Sequence, residues 1–298
     1  MMQNQTSHIG PRQVAVALLL AVTFSVPMYL YVKKMPVKAP ARPIPHANLR
    51  ITTFNTEYWH TSERELVDAV HYQDMDVVLF QEHLAKHGAQ WGPTNRIAEL
   101  KAVLKDRVVD SEGEVVTVSK WPIVYRRAYS DGHPDGQVLR TDLNVDGRVV
   151  SVYNMHLPVH MHMELLSNPL TFYRDLKANA ERRERTLKIV IDDISSNRNP
   201  IVVGGDFNSS YAMNGADWFR THLSDAYAAA HCERPGDTFT MNKIMSWRID
   251  YIYVSKQLTP AGYCTETRDD ISDHRAVLAS INFNPSLFAP FTLSQKTK

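Results

Sequence analysis

A chain of 298 residues with 44% hydrophobic residues is long enough for one large domain or two small ones, and it is too apolar to be disordered. Residues 1–48 contain five basic residues and no acidic one, so the remainder has 28 basic against 32 acidic residues, a net charge of −4. The main part of the chain therefore has no global basic excess for non-specific binding of nucleic acid. A phosphate-bearing substrate would need local groups or a metal ion.

The cysteine content limits the fold in a similar way. Cys232 and Cys264 are too few for a disulfide framework and wrongly spaced for a zinc ribbon. One disulfide between them would require an oxidising compartment. Two unpaired buried thiols are the alternative, and the sequence leaves both open.

The first predicted element is an uncharged apolar stretch over residues 14–32, preceded by an N-terminal tail of residues 1–13. As a helix, this stretch could cross a bilayer core of about 30 Å. A cleavable signal peptide is the alternative, but its apolar region would be shorter, and Lys33 and Lys34 stand where a small-residue cleavage site should be. We therefore predict an uncleaved, single-pass transmembrane signal anchor.

A proline-rich linker follows over residues 33–48, and its composition is typical of a semi-rigid spacer that holds a domain away from a membrane. Basic residues are more numerous after the apolar stretch than before it, where Arg12 stands alone. The positive-inside bias would place the C-terminal side in the cytoplasm. The spacer favours export instead, and we expect an extracytoplasmic catalytic domain.

Short β-branched runs then alternate with helical patterns. Strands are predicted over residues 49–54, 76–81, 114–119, 137–143, 148–155, 200–205, 249–255 and 275–283. Helices are predicted over residues 63–73, 95–105, 176–195 and 216–228. Several strands form antiparallel pairs, and the dipeptide Asp146-Gly147 is typical of a hairpin turn. The pattern predicts two packed sheets covered by helices, an α/β sandwich.

Polar side chains recur where these apolar strands begin or end. They are Asn55, Gln81, Glu82, Asn154, His156, Asp206, Asn208, Asp250, Asp273 and His274. Residues two apart on an extended chain face the same side, so Asn154 points with His156. Asp206 likewise points with Asn208, and the two glycines before it let the backbone approach a ligand closely.

The residue types at these strand ends indicate a chemistry. A single Asp or Asn there usually forms a turn or caps a helix, and a single His is usually structural. Six such strand ends are harder to explain in that way. Carboxylates and amides without a Cys or His cluster form a hard oxygen-ligand site suited to Mg²⁺, Mn²⁺ or Ca²⁺ rather than zinc. Two histidines beside such a site suggest proton transfer or oxyanion stabilisation on a phosphoester.

Seven segments then resemble the endonuclease/exonuclease/phosphatase superfamily, in the order that the family has them. They are TTFNTEYW, VVLFQEHL, VTVSKWPIV, VYNMHLP, VVGGDFNSS, WRIDYIYVS and SDHRAVLASI, within residues 49–282. The resemblance implies a domain over residues 49–284, followed by a C-terminal tail of residues 285–298. It also implies a four-layer α/β sandwich, two packed and mainly antiparallel sheets flanked by helices, with a divalent-metal site at one end.

The resemblance implies metal ligands and a group that acts on water. Glu82 would be the principal metal ligand, with Asn55 and Asp273 close to the same ion, which would be Mg²⁺ or else Mn²⁺ or Ca²⁺. Asp206 would orient or deprotonate the attacking water. Asn208 would hold the scissile phosphate or a second metal.

The remaining roles concern the two histidines and the substrate. Asp250 would fix the tautomer of His274 and stabilise its charged form. His156 matches the histidine of deoxyribonuclease-like and sphingomyelinase-like members, where exonuclease III-like members place a tyrosine, so abasic-site repair is disfavoured. Asn154 would support His156 at the substrate, and Arg140 would contact a phosphate. The assignment of acid and base among His156, Asp206 and His274 stays open.

Three other features have plainer interpretations. His160 and His162 follow His156 but lie beyond Pro158 in an expected loop, which disfavours a histidine metal cluster. The charge run ANAERRERTLK is interpreted as a solvated helix face. Most of the tryptophans are interpreted as core residues, with a base-stacking platform as the alternative. They are Trp59, Trp91, Trp121 and Trp247.

Together these features favour a membrane-anchored, divalent-metal-dependent phosphoester hydrolase. The first hypothesis is a deoxyribonuclease I-like endonuclease that cleaves nucleic acid by in-line attack of water. The second is a phosphodiesterase or phosphatase acting on sphingomyelin, another phospholipid or an inositol phosphate, and the third is a non-catalytic binding module. The complete polar set disfavours the third, and the lack of a 5-phosphatase-type substrate signature favours the nuclease. No obligate protein partner is inferred.

Overall fold

The computed structural model describes eleven ranges of the chain. They are residues 46–58, 74–83, 85–87, 90–94, 97–130, 137–160, 169–211, 216–230, 236–241, 245–267 and 271–287. The chain divides into two units, Met1–Pro40 and Ala41–Lys298, and every described residue belongs to the second. No helix within these ranges is both long enough and apolar enough to cross a membrane.

Several predictions fall outside the described residues and stay predictions. They are the anchor over residues 14–32, the linker as far as residue 45, the helix over residues 63–73, Cys232 with its disulfide, His162 and Trp59. The domain limits at residues 49 and 284 also stay predictions.

Sixteen strands and four helices occur in the described part of the chain. The strands are β1 (Leu49–Asn55), β2 (Val77–Gln81), β3 (Ala85–His87), β4 (Gln90–Thr94), β5 (Val108–Glu112), β6 (Val115–Ser119), β7 (Ile123–Tyr129), β8 (Gln137–Val145), β9 (Arg148–His156), β10 (Ile201–Asp206), β11 (Ser224–Asp225), β12 (Phe239–Met241), β13 (Met245–Trp247), β14 (Asp250–Val254), β15 (Leu258–Thr267) and β16 (Arg275–Phe283). The helices are α1 (Ile97–Val103), α2 (Pro169–Ser196), α3 (Asp217–His222) and α4 (Ala226–Ala229).

Twelve of the strands form two six-stranded sheets. The first has the order β15-β16-β1-β2-β6-β5, and the second has the order β11-β14-β10-β9-β8-β7. Each sheet has one parallel pair near its centre, β1 with β2 and β9 with β10, and its other pairs are antiparallel. The sheets are therefore mixed, and the antiparallel pairs that the sequence predicts make up most of each.

Three apolar clusters hold the layers together. The largest lies between the two sheets, where Ile51 and Leu79 meet Val152 and Ile252. The other two pack α1 against the first sheet and α2 against the second. Because β10 is covered on both faces, all six of its residues are buried, as its unbroken apolar sequence predicts.

Where the structure describes them, the predicted elements are present except in one region, although α2 begins at Pro169, seven residues before the predicted start. All eight predicted strands are present, with ends that shift by at most two residues, and the helices predicted over residues 95–105 and 176–195 are present as α1 and α2. The single helix predicted over residues 216–228 is wrong, because β11 interrupts it between α3 and α4. Asp225 explains the interruption: its side chain accepts a hydrogen bond from the Tyr227 amide as the N-cap of α4 and pairs with the buried Arg248.

Candidate active site

The site forms at the edge of the sandwich where the parallel pairs end. In the first sheet Asn55 lies opposite Gln81, and in the second His156 lies opposite Asp206. β14 runs antiparallel to β10, so its first residue, Asp250, lies opposite Asp206. β16 likewise runs antiparallel to β1, so its beginning lies at this edge. Parallel and antiparallel pairing together bring the predicted residues from distant parts of the chain to one place.

Asn55 links the two sheets at the centre of the site. Its Nδ2 donates to Glu82 Oε1 at 2.9 Å and to Asp206 Oδ2 at 3.0 Å. Its Oδ1 accepts a hydrogen bond from the Glu57 amide at 3.0 Å. The amide therefore holds one carboxylate from each sheet near the other.

His156 stands between two carboxylates. Its Nε2 lies 3.5 Å from Glu82 Oε1, and its Nδ1 lies 3.2 Å from Glu114 Oε2, an ion-pair distance without the alignment of a hydrogen bond. Burial opposes the charged imidazole, but the attraction of Glu114 and of Glu82 raises the pKa of His156 to about 9. The ring is therefore protonated at neutral pH.

His274 has the same arrangement on the other side of the site. Its Nδ1 lies 3.0 Å from Asp250 Oδ2, and its Nε2 lies 3.8 Å from Asp206 Oδ2. Burial again opposes the charged ring, but the charge and hydrogen bond of Asp250 raise the pKa of His274 to about 10. Each histidine thus has one carboxylate at Nδ1 and turns Nε2 to the carboxylates that Asn55 holds.

The ionised carboxylates of this site are destabilised by burial and by mutual repulsion, and a bound cation would reduce both effects. Burial raises the pKa of Glu82 and of Asp206 despite the nearby histidines. Burial also raises the pKa of Asp273 to about 6, opposed by His274 and assisted by the negative charges of Glu57 and Glu82. Crowded carboxylates are the hard oxygen donors that divalent cations such as Mg²⁺ prefer, and Asn55 positions two of them by donating from Nδ2.

Spacing supports the same conclusion. Ligand atoms of Glu82, His156 and Asp206 lie within 4.8 Å of one another, as do those of Asp206, Asp250 and His274. Asp273 Oδ1 lies 4.0 Å from His274 Nε2, and its side chain is 42% exposed, at the rim of the site. The neighbouring carboxylates of Glu82 and Asp206 therefore fit a divalent cation, whereas the protonated rings of His156 and His274 have no lone pair to offer it. The predicted ligands Asn55 and Asp273 belong to neither group.

Asn208 lies on the loop that leaves β10. Its backbone has φ +46°, its amide donates to Asp206 Oδ1 at 2.7 Å, and its Nδ2 donates to Leu157 O at 2.8 Å. Asn tolerates this left-handed conformation better than most residues. The backbone amide, and not the side chain, contacts Asp206, because β10 ends at Asp206 and the left-handed φ turns the half-buried side chain to Leu157 O.

Two predicted substrate-contacting residues are not brought to the cleft. Asn154 is fully buried between the sheets, where it donates to Phe80 O and Val116 O and accepts from Gln81 Nε2 at 2.7 Å. These three bonds leave it facing the first sheet. It ties the two sheets together next to His156.

Arg140 lies on the opposite face of the second sheet. It pairs with Tyr153, whereas the adjacent pair, Leu139 with Asn154, points between the sheets. Its guanidinium binds Asp142 with two bonds of 2.8 Å and Asp193 of α2 at 2.9 Å. The alternation of side chains along β8 therefore turns Arg140 toward the helix layer and away from the acidic cluster.

Two acidic residues of the site were not singled out from the sequence. Glu114 precedes β6 and lies behind His156, and Glu57 accepts a hydrogen bond from the Asp273 amide at 3.3 Å. Glu114 follows a glycine in a turn, and Glu57 is only two residues beyond Asn55. Neither has a spacing that distinguishes it from an ordinary surface acid.

An aromatic pair lies beside His274. The ring centroid of Phe239 is 4.9 Å from that of His274, and Trp247 stacks on Phe239 with centroids 6.1 Å apart. Both rings are half-buried, on strands β12 and β13. The interpretation of Trp247 as a plain core residue is therefore incomplete, because it extends a partly exposed aromatic wall next to a site histidine.

The charge run in α2 is only partly solvated. Arg183 is 3% exposed and lies on the buried side of the helix with Asn179 and Thr186. The spacing of these three residues, four and three apart, is that of one helix face. The charge of Arg183 predicts exposure to solvent, but its position on the inner face of α2 buries it.

The fold and the polar cluster define an α/β sandwich with its site at one edge of two mixed sheets. The family model of the Endonuclease/Exonuclease/phosphatase family matches residues 52–274, and the chain belongs to this family. A search of curated proteins found no match.

Three solved structures illustrate the shared fold. An endonuclease/exonuclease/phosphatase from Bacteroides vulgatus has 18% identity and a TM-score of 0.59, covering 79% of this chain and 99% of its own. A 3′ phosphatase from Neisseria, bound to a product DNA hairpin, has 18% identity and a TM-score of 0.57, covering 79% and 99%. A mannosyl-6-phosphatase of Bacteroides thetaiotaomicron has 16% identity and a TM-score of 0.53, covering 79% and 100%.

Proposed function

We propose that this protein is a divalent-metal-dependent phosphoester hydrolase that cleaves phosphodiester bonds in nucleic acid. The observation that carries the proposal is the pair of histidines around one carboxylate cluster. His156 and His274 are each held by a carboxylate at Nδ1 and each turn Nε2 to the cluster. Cationic donors can stabilise the charge that develops on a phosphoryl group, and a buried carboxylate can accept a proton from water.

The pKa values suggest which group does what. His156 and His274 have pKa values of about 9 and about 10, so both are protonated at neutral pH. Protonated rings can stabilise the developing phosphoryl charge or protonate the leaving oxygen. Asp206, whose pKa burial raises, is then the group that accepts a proton from the attacking water.

The other predicted residues complete this scheme. Asn55, Glu82 and Asp273 would hold the cation, with Mg²⁺ expected and Mn²⁺ or Ca²⁺ as alternatives. When bound, such an ion supplies Lewis-acid polarisation of a phosphoryl oxygen. Asn208 lies beside Asp206 and would hold the scissile phosphate.

Nucleic acid is proposed as the substrate because of the aromatic pair Phe239 and Trp247 beside His274. The half-buried Phe239 and Trp247 offer a flat aromatic surface next to a proposed proton donor, and bases stack on such surfaces. The Neisseria relative binds DNA, whereas the mannosyl-6-phosphatase has a sugar phosphate as its substrate class. At 18% and 16% identity these relatives share the fold, so the substrate must be tested directly.

A phospholipid or inositol phosphate is the second candidate, and the apolar stretch over residues 14–32 favours it because an anchor would place the cleft near a bilayer. The test uses the full chain with plasmid DNA, RNA, sphingomyelin vesicles and inositol phosphates, each with Mg²⁺, with Mn²⁺ and with EDTA. We expect nicking of plasmid DNA with a metal ion and none with EDTA. Turnover of only lipid or inositol phosphate would replace the nuclease proposal, and no turnover of any substrate would contradict the hydrolase.

We also propose that residues 14–32 anchor the protein in a membrane with the catalytic domain outside the cytoplasm. The support is the length and lack of charge of this stretch and the proline-rich linker after it. A reporter that is active only outside the cytoplasm, fused after Lys298, should be active. A silent reporter together with an active cytoplasmic reporter would reverse the orientation, and recovery of the chain in the soluble fraction would contradict the anchor.

A further inference from the structure

Arg183 is a buried guanidinium that joins two loops of the site. It projects from α2, is 3% exposed, and donates from Nη2 to Phe207 O at 2.9 Å. It also donates to Pro158 O and to Ser209 Oγ. Pro158 belongs to the loop after β9, and the other two acceptors belong to the loop after β10.

Among the described residues no Asp or Glu side chain lies within ion-pair distance of Arg183. Arg248, a second buried arginine, differs in this respect, because it binds Asp225. Burial lowers the pKa of Arg183 to about 10, and the negative charge of Asp206 opposes this shift. A buried charge without a paired carboxylate is destabilising, so its three hydrogen bonds to the loops after β9 and β10 indicate a role other than stability.

The acceptors of Arg183 flank the residues that face the substrate. Phe207 lies between Asp206 and Asn208 in the sequence, and Ser209 directly follows Asn208. The same two loops are joined at the site by the Leu157 amide, which donates to Asp206 O at 3.0 Å, and by Asn208 Nδ2, which donates to Leu157 O at 2.8 Å. Movement of the loops against each other would therefore displace Asp206 and Asn208 together.

Neighbouring contacts make the arrangement rigid. His160 Nε2 lies 2.8 Å from Ser209 Oγ, and the Tyr251 hydroxyl donates to Ser209 O at 2.9 Å. Phe207 packs in the apolar cluster that also contains Val190 of α2. The guanidinium projects from this helix, and its planar fork donates to three oxygens in fixed directions.

We propose that Arg183 is a positioning residue that holds the loops after β9 and β10 in register, and so sets Asp206 and Asn208 at the reacting phosphate. The catalytic part of this inference rests on the proposed hydrolase function. A displacement of about 1 Å can cost about 100-fold in rate, so the effect should appear in kcat rather than in KM.

The first test compares Arg183→Lys and Arg183→Met with Arg185→Met, which removes an exposed arginine of the same helix. With a phosphodiester substrate and Mg²⁺, Arg183→Met should lower kcat about 100-fold with KM changed less than about threefold. Arg183→Lys should recover part of the rate because it keeps the charge, and Arg185→Met should match the wild type. A kcat for Arg183→Met within threefold of the wild type, or an equal loss in Arg185→Met, would overturn the proposal.

The second test needs no activity and so separates this inference from the proposed function. Amide hydrogen exchange of Leu157 and Asn208 should be at least about tenfold faster in Arg183→Lys than in the wild type, with the central strands unchanged. Unchanged exchange at both amides would overturn the inference even if the enzyme is active. If the Arg183 variants do not fold, Ser209→Ala removes one acceptor and keeps the charge, and unchanged exchange in that variant would have the same meaning.

Discussion

At the scale of single residues, the two histidines depend on the carboxylates behind them. Glu114 and Asp250 keep His156 and His274 charged although both rings are buried. A buried imidazole without such a partner would be neutral and could not donate two hydrogen bonds. The carboxylates at Nδ1 therefore matter for the proposed chemistry as much as the rings do.

Removal of the charge behind His274 should slow the reaction. In Asp250→Asn the ring loses the carboxylate that raises its pKa, so a smaller fraction is protonated at neutral pH. We expect kcat on a phosphodiester substrate to fall about 100-fold or more, with a smaller change in KM. Asp110→Asn is the matched control, because it neutralises a carboxylate that pairs with Arg126, and the amide oxygen of the variant can still accept the hydrogen bond from the Ser111 amide. Equal kcat values for Asp250→Asn and the control would exclude the proposed role of His274.

The same pair should make stability depend on pH. The pKa of His274 is about 10 in the folded protein against an ordinary value of 6.5. Because the folded pKa is the higher one, the stabilisation is complete below about pH 6.5 and is lost as the pH rises to about 10. Urea unfolding in EDTA should show this loss in the wild type and a flatter profile in Asp250→Asn. Parallel profiles would contradict the charged pair.

Sequence patterns predict the residues of the site that stand at the ends of apolar strands. Asn55, Glu82, Asp206 and His274 are brought together as predicted, because strand pairing fixes their edge of the sandwich. Glu114 is not predicted, because it lies in the turn before β6 and not at the end of an apolar strand. Asn154 and Arg140 are polar residues of the right type, but neither faces the cleft. Asn154 is bonded to the first sheet, and Arg140 is bonded to Asp193 of the helix layer, and these partners are not evident from the sequence.

At the scale of elements, the end of β10 has no room for a side chain at Gly205. Gly205 has φ +145°, and a Cβ placed there would lie 1.9 Å from Met155 O of the adjacent parallel strand. The backbone of β9 cannot move away without moving His156, the next residue in the chain. The paired glycines thus allow β9 and β10 to stay in register up to the site.

Gly205→Ala should therefore destabilise the protein strongly. We expect a loss of at least about 2 kcal/mol in the free energy of unfolding, measured by urea denaturation. Gly147→Ala is the control, because Gly147 also has a left-handed φ of +87° but has open space around it. That variant should lose about 1 kcal/mol from backbone strain alone. Equal losses would show that the close approach to Met155 has no cost of its own.

The strands that sequence patterns missed are the edge strands of the two large sheets and the strands of two small sheets, β3 with β4 and β12 with β13. β5 and β15 end the first sheet, and β7 and β11 end the second, and none of the four is among the eight predicted strands. Central strands are covered on both faces and so have unbroken apolar runs. An edge strand keeps polar or exposed residues, as the exposed middle of β7 shows, and its pairing depends on the neighbour that is already in place.

At the scale of the whole molecule, both the net charge and the charge of the site are expected to repel a phosphate. The sequence outside the first 48 residues has a net charge of −4, and several acidic residues of that excess are gathered at one edge of the sandwich. A phosphate would be repelled by this edge unless a cation and the charged histidines offset the carboxylates. Activity should therefore depend on both.

The measurement that tests this account most directly is hydrolysis of plasmid DNA by the full chain and by the variants Glu82→Ala and His274→Ala, with Mg²⁺ and with EDTA. We expect the wild type to be active only with the metal ion, and each variant to lose at least about 100-fold in rate while keeping the folded circular dichroism spectrum. Full activity in both variants, or wild-type activity that EDTA leaves unchanged, would contradict it.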